Sequence, residues 1–248
     1  MATMTIGTTS RRRADDHRFF RWLAVAMTLT ILAGFARSYY LVVPGILPET
    51  TKLTPLLHLH GIVFTGWLFF YLVQSWLPGT GNLRLHRKLG QTLGAPLLAL
   101  LVVVGTVTAF RLAALGLAAH DMKTVGFFAW TMGDIVVLAV CIGAGLANRR
   151  NSETHKRWMA LAMAEMMGPG MGRLMGAAGI GHHGMGHLVP PLFFGLVIVG
   201  LDIVSRGRIL PVTVLGMSLL AGSALLREIL MGLPGWPDVA AQIVAIAA

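Results

Sequence analysis

The sequence predicts an all-α protein: a polytopic transmembrane helix bundle of about seven spans, with its N-terminus inside and its C-terminus outside. Composition is the first reason, because 55% of the 248 residues are apolar and only 12% are charged. A soluble domain carries about twice that charged fraction. The mean hydropathy of +0.72 is the second reason. So few charges would not cover a soluble surface, whereas a surface that faces lipid needs none.

The apolar residues fall into seven stretches, each close to the length of about 20 residues that a helix needs to cross a bilayer. Turn-forming residues separate several of them, for example Pro44-Gly45, Pro78-Gly79 and Asn151-Ser152. The segment 179–186 is rich in glycine and precedes the sixth stretch. The predicted spans are approximately 20–43, 54–77, 91–115, 124–147, 157–176, 188–205 and 209–231.

The basic residues between the spans predict the orientation. With the N-terminus inside, the outside loops hold only Lys52 and Lys123. The inside segments hold all the others that lie between spans, as the positive-inside rule requires: Arg11, Arg12, Arg13, Arg18, Arg21, Arg84, Arg87, Lys88, Arg149, Arg150, Lys156, Arg157, Arg206 and Arg208. This distribution explains the net charge of +10 as topology and argues against nucleic acid as a partner. The bilayer is the expected partner.

Three regions are expected along the chain. Residues 1–18 form a basic N-terminal segment that we expect to be disordered, and residues 19–234 form a single transmembrane domain. The tail 235–248 is too short to span the bilayer and is expected to lie at the outer interface, anchored by Trp236. Cys141 is the only cysteine, so no intrachain disulfide is possible.

Charged residues inside spans are the first candidates for function, because each is costly in hydrocarbon. Asp134, Glu165 and Arg173 lie deepest, whereas Arg227 lies near an outer helix end and is expected to extend to the interface. Gly168-Pro169-Gly170 interrupts the fifth span between Glu165 and Arg173, and interrupted helices with nearby charge are typical of transport sites. The alternative is a structural kink, with Glu165 or Arg173 paired to Asp134 or Asp202.

One face of the second span carries a row of ring and amide side chains. It runs from His60 through Phe64, Trp67 and Tyr71 to Gln74 at helical spacing, while His58 points in another direction. Such a face suits a flat ligand such as haem b or a quinone, which rings stack against and a histidine coordinates. Packing of aromatic side chains between helices is the alternative interpretation.

The outer loop before the sixth span contains His182, His183, Met185 and His187 among glycines. Imidazole and thioether groups together favour copper, so this loop is a candidate copper site. A glycine-rich loop that holds its histidines without any metal is the alternative.

Two inner loops share a histidine followed by two bases, at His86 and at His155. These histidines are candidate haem ligands near the inner surface, with His58 or His60 and the outer loop serving a second site. Contact of the bases with anionic lipid headgroups is the competing interpretation.

The pattern His58-x-His60-Gly61, followed by Leu85-His86-Arg87-Lys88-Leu89-Gly90 and His155-Lys156-Arg157, resembles an uncharacterised family of multi-pass membrane proteins of proteobacteria. The resemblance covers most of the chain from the second span onward. It implies a bacterial inner-membrane protein with about seven spans and carries over no activity. The basic histidine loops also resemble those of small b-type cytochromes.

Three functional hypotheses follow, and whether the chain is an enzyme stays open. The first is a haem- or quinone-associated electron-transfer protein that works with a respiratory or membrane redox partner. The second is a transporter of a small solute, a proton or a metal ion. The third is an outer-face copper-binding protein or an assembly factor.

Overall fold

A computed structural model describes the backbone of residues 3–49, 52–180 and 185–246, and the side chains of residues 15–49, 52–180 and 187–246. Every regular element in these ranges is helical, which confirms the all-α prediction. The α-helices are α1 (Thr3–Phe35), α2 (Pro55–Trp76), α3 (Leu83–Ala118), α4 (Met122–Gly126), α5 (Phe128–Ala147), α6 (Ser152–Glu165), α7 (Met167–Ala177), α8 (Met185–Arg206), α9 (Pro211–Gly232) and α10 (Trp236–Ile246). A π-helical turn, Ala36–Tyr40, extends α1, and a 3₁₀ turn, Leu77–Thr80, extends α2.

Six of the described helical segments are long and apolar enough to cross a membrane. They are Asp15–Tyr40, Pro55–Thr80, Leu83–Ala118, Met122–Ala147, His187–Arg206 and Pro211–Gly232. The remaining predicted span, the fifth, corresponds to α6 and α7 and is divided into these two shorter helices. A bundle of about seven spans is therefore consistent with the structure. The words inner and outer refer to the two membrane faces as the basic residues between the spans predict them.

Large apolar side chains cover the outside of the bundle. Examples are Leu29, Ile62 and Val103, which are 60%, 65% and 59% exposed. On a soluble protein such continuous apolar surface would be a liability, whereas lipid is its proper solvent. The chain is a multi-pass membrane protein. Inside the bundle, α1, α6 and α8 contribute a core whose buried members include Met27, Leu161 and Ile198.

Sequence signals explain where two of the helices begin. Thr54 caps α2 by accepting a hydrogen bond from the backbone N–H of Leu57 (3.4 Å), and Pro55 follows at the first helical position. The side chain of Asn151 caps α6 in the same way, accepting from the backbone N–H groups of Glu153 and Thr154. The first helix, α1, runs from Thr3 through Phe35.

The break in the fifth span lies at Met166, one turn before the proline that causes it. Pro169 has no N–H to donate to the carbonyl of Glu165, and its ring crowds that carbonyl. The helix therefore stops at Glu165 and restarts at Met167. Beyond the break, α7 packs against α1 and α8. A Cβ at Gly34 on α1 would overlap the carbonyl of Gly170, so this contact requires glycine.

Candidate functional site

Arg227 on α9 connects two carboxylates from different helices. One terminal nitrogen, Nη2, donates to Oε1 of Glu165 at 2.8 Å, and the other, Nη1, donates to Oδ1 of Asp134. The three side chains thereby tie the end of α6 to α5 and α9 in the interior of the membrane-spanning bundle. Arg227 is 3% exposed and Glu165 is 2% exposed.

The neighbours of Arg227 hold it between the helices. Its guanidinium carbon lies 4.5 Å from the centroid of the Trp130 ring, a distance typical of a cation–π contact. Its aliphatic part crosses α5 at Gly133, where a Cβ would overlap Arg227 Cδ. Its Nε donates to the carbonyl of Ser223 on its own helix at 3.1 Å. The arginine is therefore fixed by packing as well as by charge.

His187 completes the site from the outer side. Its Nδ1 lies 3.1 Å from Oδ2 of Asp134, and its ring packs between Phe127 and Trp130, with centroids 5.2 Å away in both cases. His187 stands near the outer start of α8. The side chains of Asp134 and His187 keep 18% and 10% exposure, so the outer side of the site is its more accessible side.

The charges of the site balance only if it holds an additional proton. Asp134 and Glu165 are two acids, Arg227 is the one arginine in contact with them among the described side chains, and His187 carries a charge only when protonated. Oε2 of Glu165 is buried and has no hydrogen-bond partner among the described residues. A buried carboxylate oxygen without a partner is costly. One proton, on Oε2 of Glu165 or on His187, would neutralise the site, and on Oε2 it would turn that oxygen into a hydrogen-bond donor.

The structure corrects two expectations about these charges. Arg227 does not extend to the interface but is buried, and it supplies the pairing partner that Asp134 and Glu165 require. Arg173 has no carboxylate within ion-pair distance among the described side chains. Its Nη1 donates to the carbonyl of Pro169 at 2.8 Å, and its guanidinium stacks over Phe35 at 4.3 Å. In the sequence, the two acids within predicted spans, Asp134 and Glu165, indicate that a buried basic side chain pairs with them.

The row of side chains on α2 faces the protein interior. Trp67 and Tyr71 are buried in the main core, and His60 stacks on Phe64 with ring centroids 4.1 Å apart. The opposite histidine, His58, lies against Tyr39 instead. The middle of the row is thus occupied by helix packing, while Nδ1 of His60 stays buried without a hydrogen-bond partner in the described structure.

The two inner histidine loops meet. The rings of His86 and His155 lie 6.2 Å apart between centroids. Nδ1 of His86 lies 3.1 Å from the carbonyl oxygen of Gln74, and Nδ1 of His155 lies 2.7 Å from that of Gly145. Carbonyl contacts of this kind fix the orientation of metal-bound histidines, and they leave both Nε2 atoms for another partner.

The predicted copper loop is described only at its end. His182 and His183 lie outside the described residues, and so does the side chain of Met185. His187 uses Nδ1 for Asp134. No group of three or more histidine, cysteine or acidic side chains suited to a metal ion occurs among the described residues. The copper site stays a prediction.

A second ionic network lies at the inner end and has a structural role. Arg157 and Asp202 are fully buried, and Arg157 Nε and Nη2 both donate to Oδ1 of Asp202, at 2.8 and 2.5 Å. Asp202 Oδ2 accepts from Thr213 Oγ1 at 2.6 Å.

Burial raises the pKa of Glu153, but hydrogen bonds and charges from Lys156, Arg206 and Arg157 outweigh burial and lower that pKa to about 2. Arg157 and Lys156 are thus engaged within the protein rather than with lipid headgroups.

Comparisons with known proteins add no relative. No protein-family model, curated protein or solved structure matches this chain. The resemblance to a proteobacterial membrane family stays a prediction.

Proposed function

We propose that this chain is a transporter of the bacterial inner membrane that exchanges protons at Asp134 and Glu165. The observation that carries the proposal is the charge imbalance of the buried site, in which two carboxylates share Arg227. A buried net charge is expensive, so a site of this composition takes up a compensating cation. Carboxylates within membrane spans are the usual proton carriers of pumps and transporters.

Access to the site favours exchange with the outer face. His187 and Asp134 are its partly exposed members, and His187 stands near the outer start of α8. On the inner side, Arg157 precedes Glu165 by eight positions along α6, a rise of about 12 Å. Fully buried apolar side chains, among them Leu161 and Met163, fill that interval. This apolar layer is suited to block leakage while the site is open to the outside.

The helix break supplies a place where the layer can open. Glu165 is the last residue of α6, and its carbonyl is the one that Pro169 leaves without its usual donor. Non-helical backbone at this depth is tolerated only inside protein or beside a water-filled cavity. A small change of the angle between α6 and α7 would carry Glu165 away from Arg227 and toward the inner side.

Proton flux into liposomes tests the proposal. The purified protein is reconstituted with a pH-sensitive dye inside, and a potassium diffusion potential, negative inside, is set with valinomycin. We expect acidification of the lumen that Glu165→Gln reduces at least about tenfold, because the amide carries no exchangeable acidic proton. Glu228→Gln is the matched control, since Glu228 follows Arg227 directly and lies outside the Asp134–Arg227–Glu165 contacts. Equal flux for both variants, or none above empty liposomes, would contradict the proposal.

A redox role is the second candidate, favoured by the inner histidine pair. Two imidazoles with anchored Nδ1 atoms and centroids 6.2 Å apart could ligate one haem iron after the helices separate enough to admit a porphyrin. The cavity of about 460 Å³ between α1 and α8 is lined by Phe19, Trp22 and Val197 among others and includes neither histidine. An absorption spectrum of the purified protein tests this: a Soret band that His86→Ala abolishes would support haem, and the absence of both a Soret band and an extractable quinone would exclude the redox role.

A further inference from the structure

A groove runs along one face of α1, between this helix and α8. Both helices pack against α6, and the space between them is a cavity of about 460 Å³. Val197 of α8 forms one wall. The residues of α1 that line the groove recur every three or four positions, the spacing of one helical face, and they are Asp15, Arg18, Phe19, Trp22, Leu23 and Ala26.

The inner ionic network fixes the depth of this groove in the membrane. Asp16 of α1 accepts from Nη2 of Arg206 at 2.5 Å, and Arg206 is the last residue of α8, so the polar start of the groove lies at the inner face. Ala26 follows Asp16 by ten positions, a rise of about 15 Å, and Val197 precedes Arg206 by nine, a rise of about 14 Å. Both helices therefore give the groove a depth of about half the ~30 Å hydrocarbon core, which is one lipid leaflet.

The deeper part of the groove is apolar and open to lipid. Leu23 is 7% exposed and forms part of its floor, whereas Trp22 is 60% exposed beside it. The Trp22 ring meets Trp76 of α2 edge to face, with centroids 6.4 Å apart, which holds the indole in place. Ala26 leaves room at the deep end because its side chain is a single methyl group. An acyl chain of the inner leaflet fits this part.

The polar end of the groove carries one acid and one base. Asp15 and Arg18 are both exposed and lie three positions apart on α1, which places them about 5–6 Å from each other between Cβ atoms. Neither forms an ion pair with the other or with any further side chain that the structure describes, whereas the adjacent Asp16 contacts both Lys156 and Arg206. A guanidinium binds a phosphate through paired hydrogen bonds, and a carboxylate accepts from an ammonium. The two groups together match a headgroup that has both charges.

We propose that the groove binds one molecule of phosphatidylethanolamine from the inner leaflet, with its phosphate at Arg18 and its ammonium at Asp15. One acyl chain lies against Leu23 and Val197. Phosphatidylcholine is a poorer ligand, because its quaternary ammonium has no N–H to donate to Asp15. An anionic lipid without an amine places a negative headgroup beside the same carboxylate. This lipid site does not depend on proton transport by the chain.

Quenching of Trp22 fluorescence by lipids brominated on their acyl chains tests the site. The full chain is reconstituted in phosphatidylcholine vesicles that contain increasing fractions of brominated phosphatidylethanolamine or brominated phosphatidylcholine, and the quenching that Trp22→Phe removes is the signal of the groove. We expect this signal to saturate, with an affinity about threefold to fivefold higher for the ethanolamine lipid, the gain from one exposed ion pair.

Substitutions at the polar end distinguish the headgroup contacts. Asp15→Asn should abolish the preference for phosphatidylethanolamine over phosphatidylcholine, and Arg18→Gln should weaken binding of both lipids by about threefold. Arg84→Gln is the matched control, because Arg84 is exposed at the inner start of α3 and does not line the groove. It should leave both affinities unchanged. Helical circular dichroism checks that each variant is folded.

Three outcomes would overturn the assignment. Equal affinities for the two lipids, or a preference that Asp15→Asn leaves in place, would remove the ammonium contact. Tighter binding of brominated phosphatidylglycerol than of brominated phosphatidylethanolamine would make the groove a site for anionic lipid instead. Quenching that Trp22→Phe does not diminish would show that no acyl chain lies in the groove.

Discussion

Replacing Arg227 by methionine removes the positive charge between Asp134 and Glu165 while keeping much of the side chain's length. The variant leaves Asp134 and Glu165 facing each other without the guanidinium that now contacts both. His187 remains in contact with Asp134, with Nδ1 3.1 Å from Oδ2 of that residue. The packing of the aliphatic part against Gly133 is largely retained, whereas the cation–π contact of the guanidinium with Trp130 is lost. The effect of the substitution is therefore mainly electrostatic.

The expected loss of folding stability depends on the protonation state of the two acids in the variant. Removing one partner of a buried ion pair costs about 3–5 kcal/mol. The alternative is to fold with the remaining carboxylate protonated, and protonating an aspartate of pKa about 3.9 at pH 7 costs about 4 kcal/mol. Both routes give a loss of about 4 kcal/mol. By the second route the loss shrinks by about 1.4 kcal/mol for each pH unit below 7, because the unfolded chain then approaches the same protonated state.

Unfolding in mixed micelles, followed by circular dichroism, measures this loss. The triple variant Arg227→Met, Asp134→Asn, Glu165→Gln has no charge to bury and should recover most of the stability. Arg111→Met on the exposed surface of α3 is the control and should change stability by less than about 1 kcal/mol. A loss for Arg227→Met no larger than the control's, or a triple variant as unstable as the single one, would refute the electrostatic account of the site.

Two further predictions concern packing and acid stability. Gly133→Ala places a methyl group against Arg227 Cδ and should lower both proton flux and unfolding stability, whereas Gly143→Ala, which meets nothing within 4 Å, should change neither; equal effects of the two would dismiss the packing argument. The pKa of Glu153 is lowered from 4.5 to about 2, so its contribution to stability is complete above pH about 4.5 and is lost as the pH falls toward 2. Acid titration of unfolding should show a weaker pH dependence in that window for Glu153→Gln, and an unchanged curve would contradict the inner network.

The fold could be predicted from the sequence because a bilayer fixes the length of its apolar helices and favours basic residues on the inner side. Seven apolar stretches and the distribution of basic residues predict the spans, and the structure has a helix in each. The break in the fifth span was also predictable, since Pro169 cannot continue the hydrogen bonding of α6. Its position one turn earlier, at Met166, follows from which carbonyl the proline deprives of a donor.

The site was only half predictable. Asp134 and Glu165 could be named because an acid within a span needs an explanation. Their partner could not, because Arg227 lies near a helix end, where a long side chain either extends to water or turns inward. The choice depends on the tertiary packing of α5 against α9, and in particular on the space left by Gly133. Sequence spacing along one helix contains no information on contacts between helices.

In the proposed function, Asp134 and Glu165 share one proton that exchanges with the outer face. Infrared difference spectroscopy of the protein in liposomes, with the external pH stepped between neutral and alkaline values, measures this proton directly. We expect a protonated carboxyl band at neutral pH that disappears on the alkaline step and is absent from Glu165→Gln. A neutral-pH spectrum without such a band, or a band that Glu165→Gln leaves in place, would contradict it.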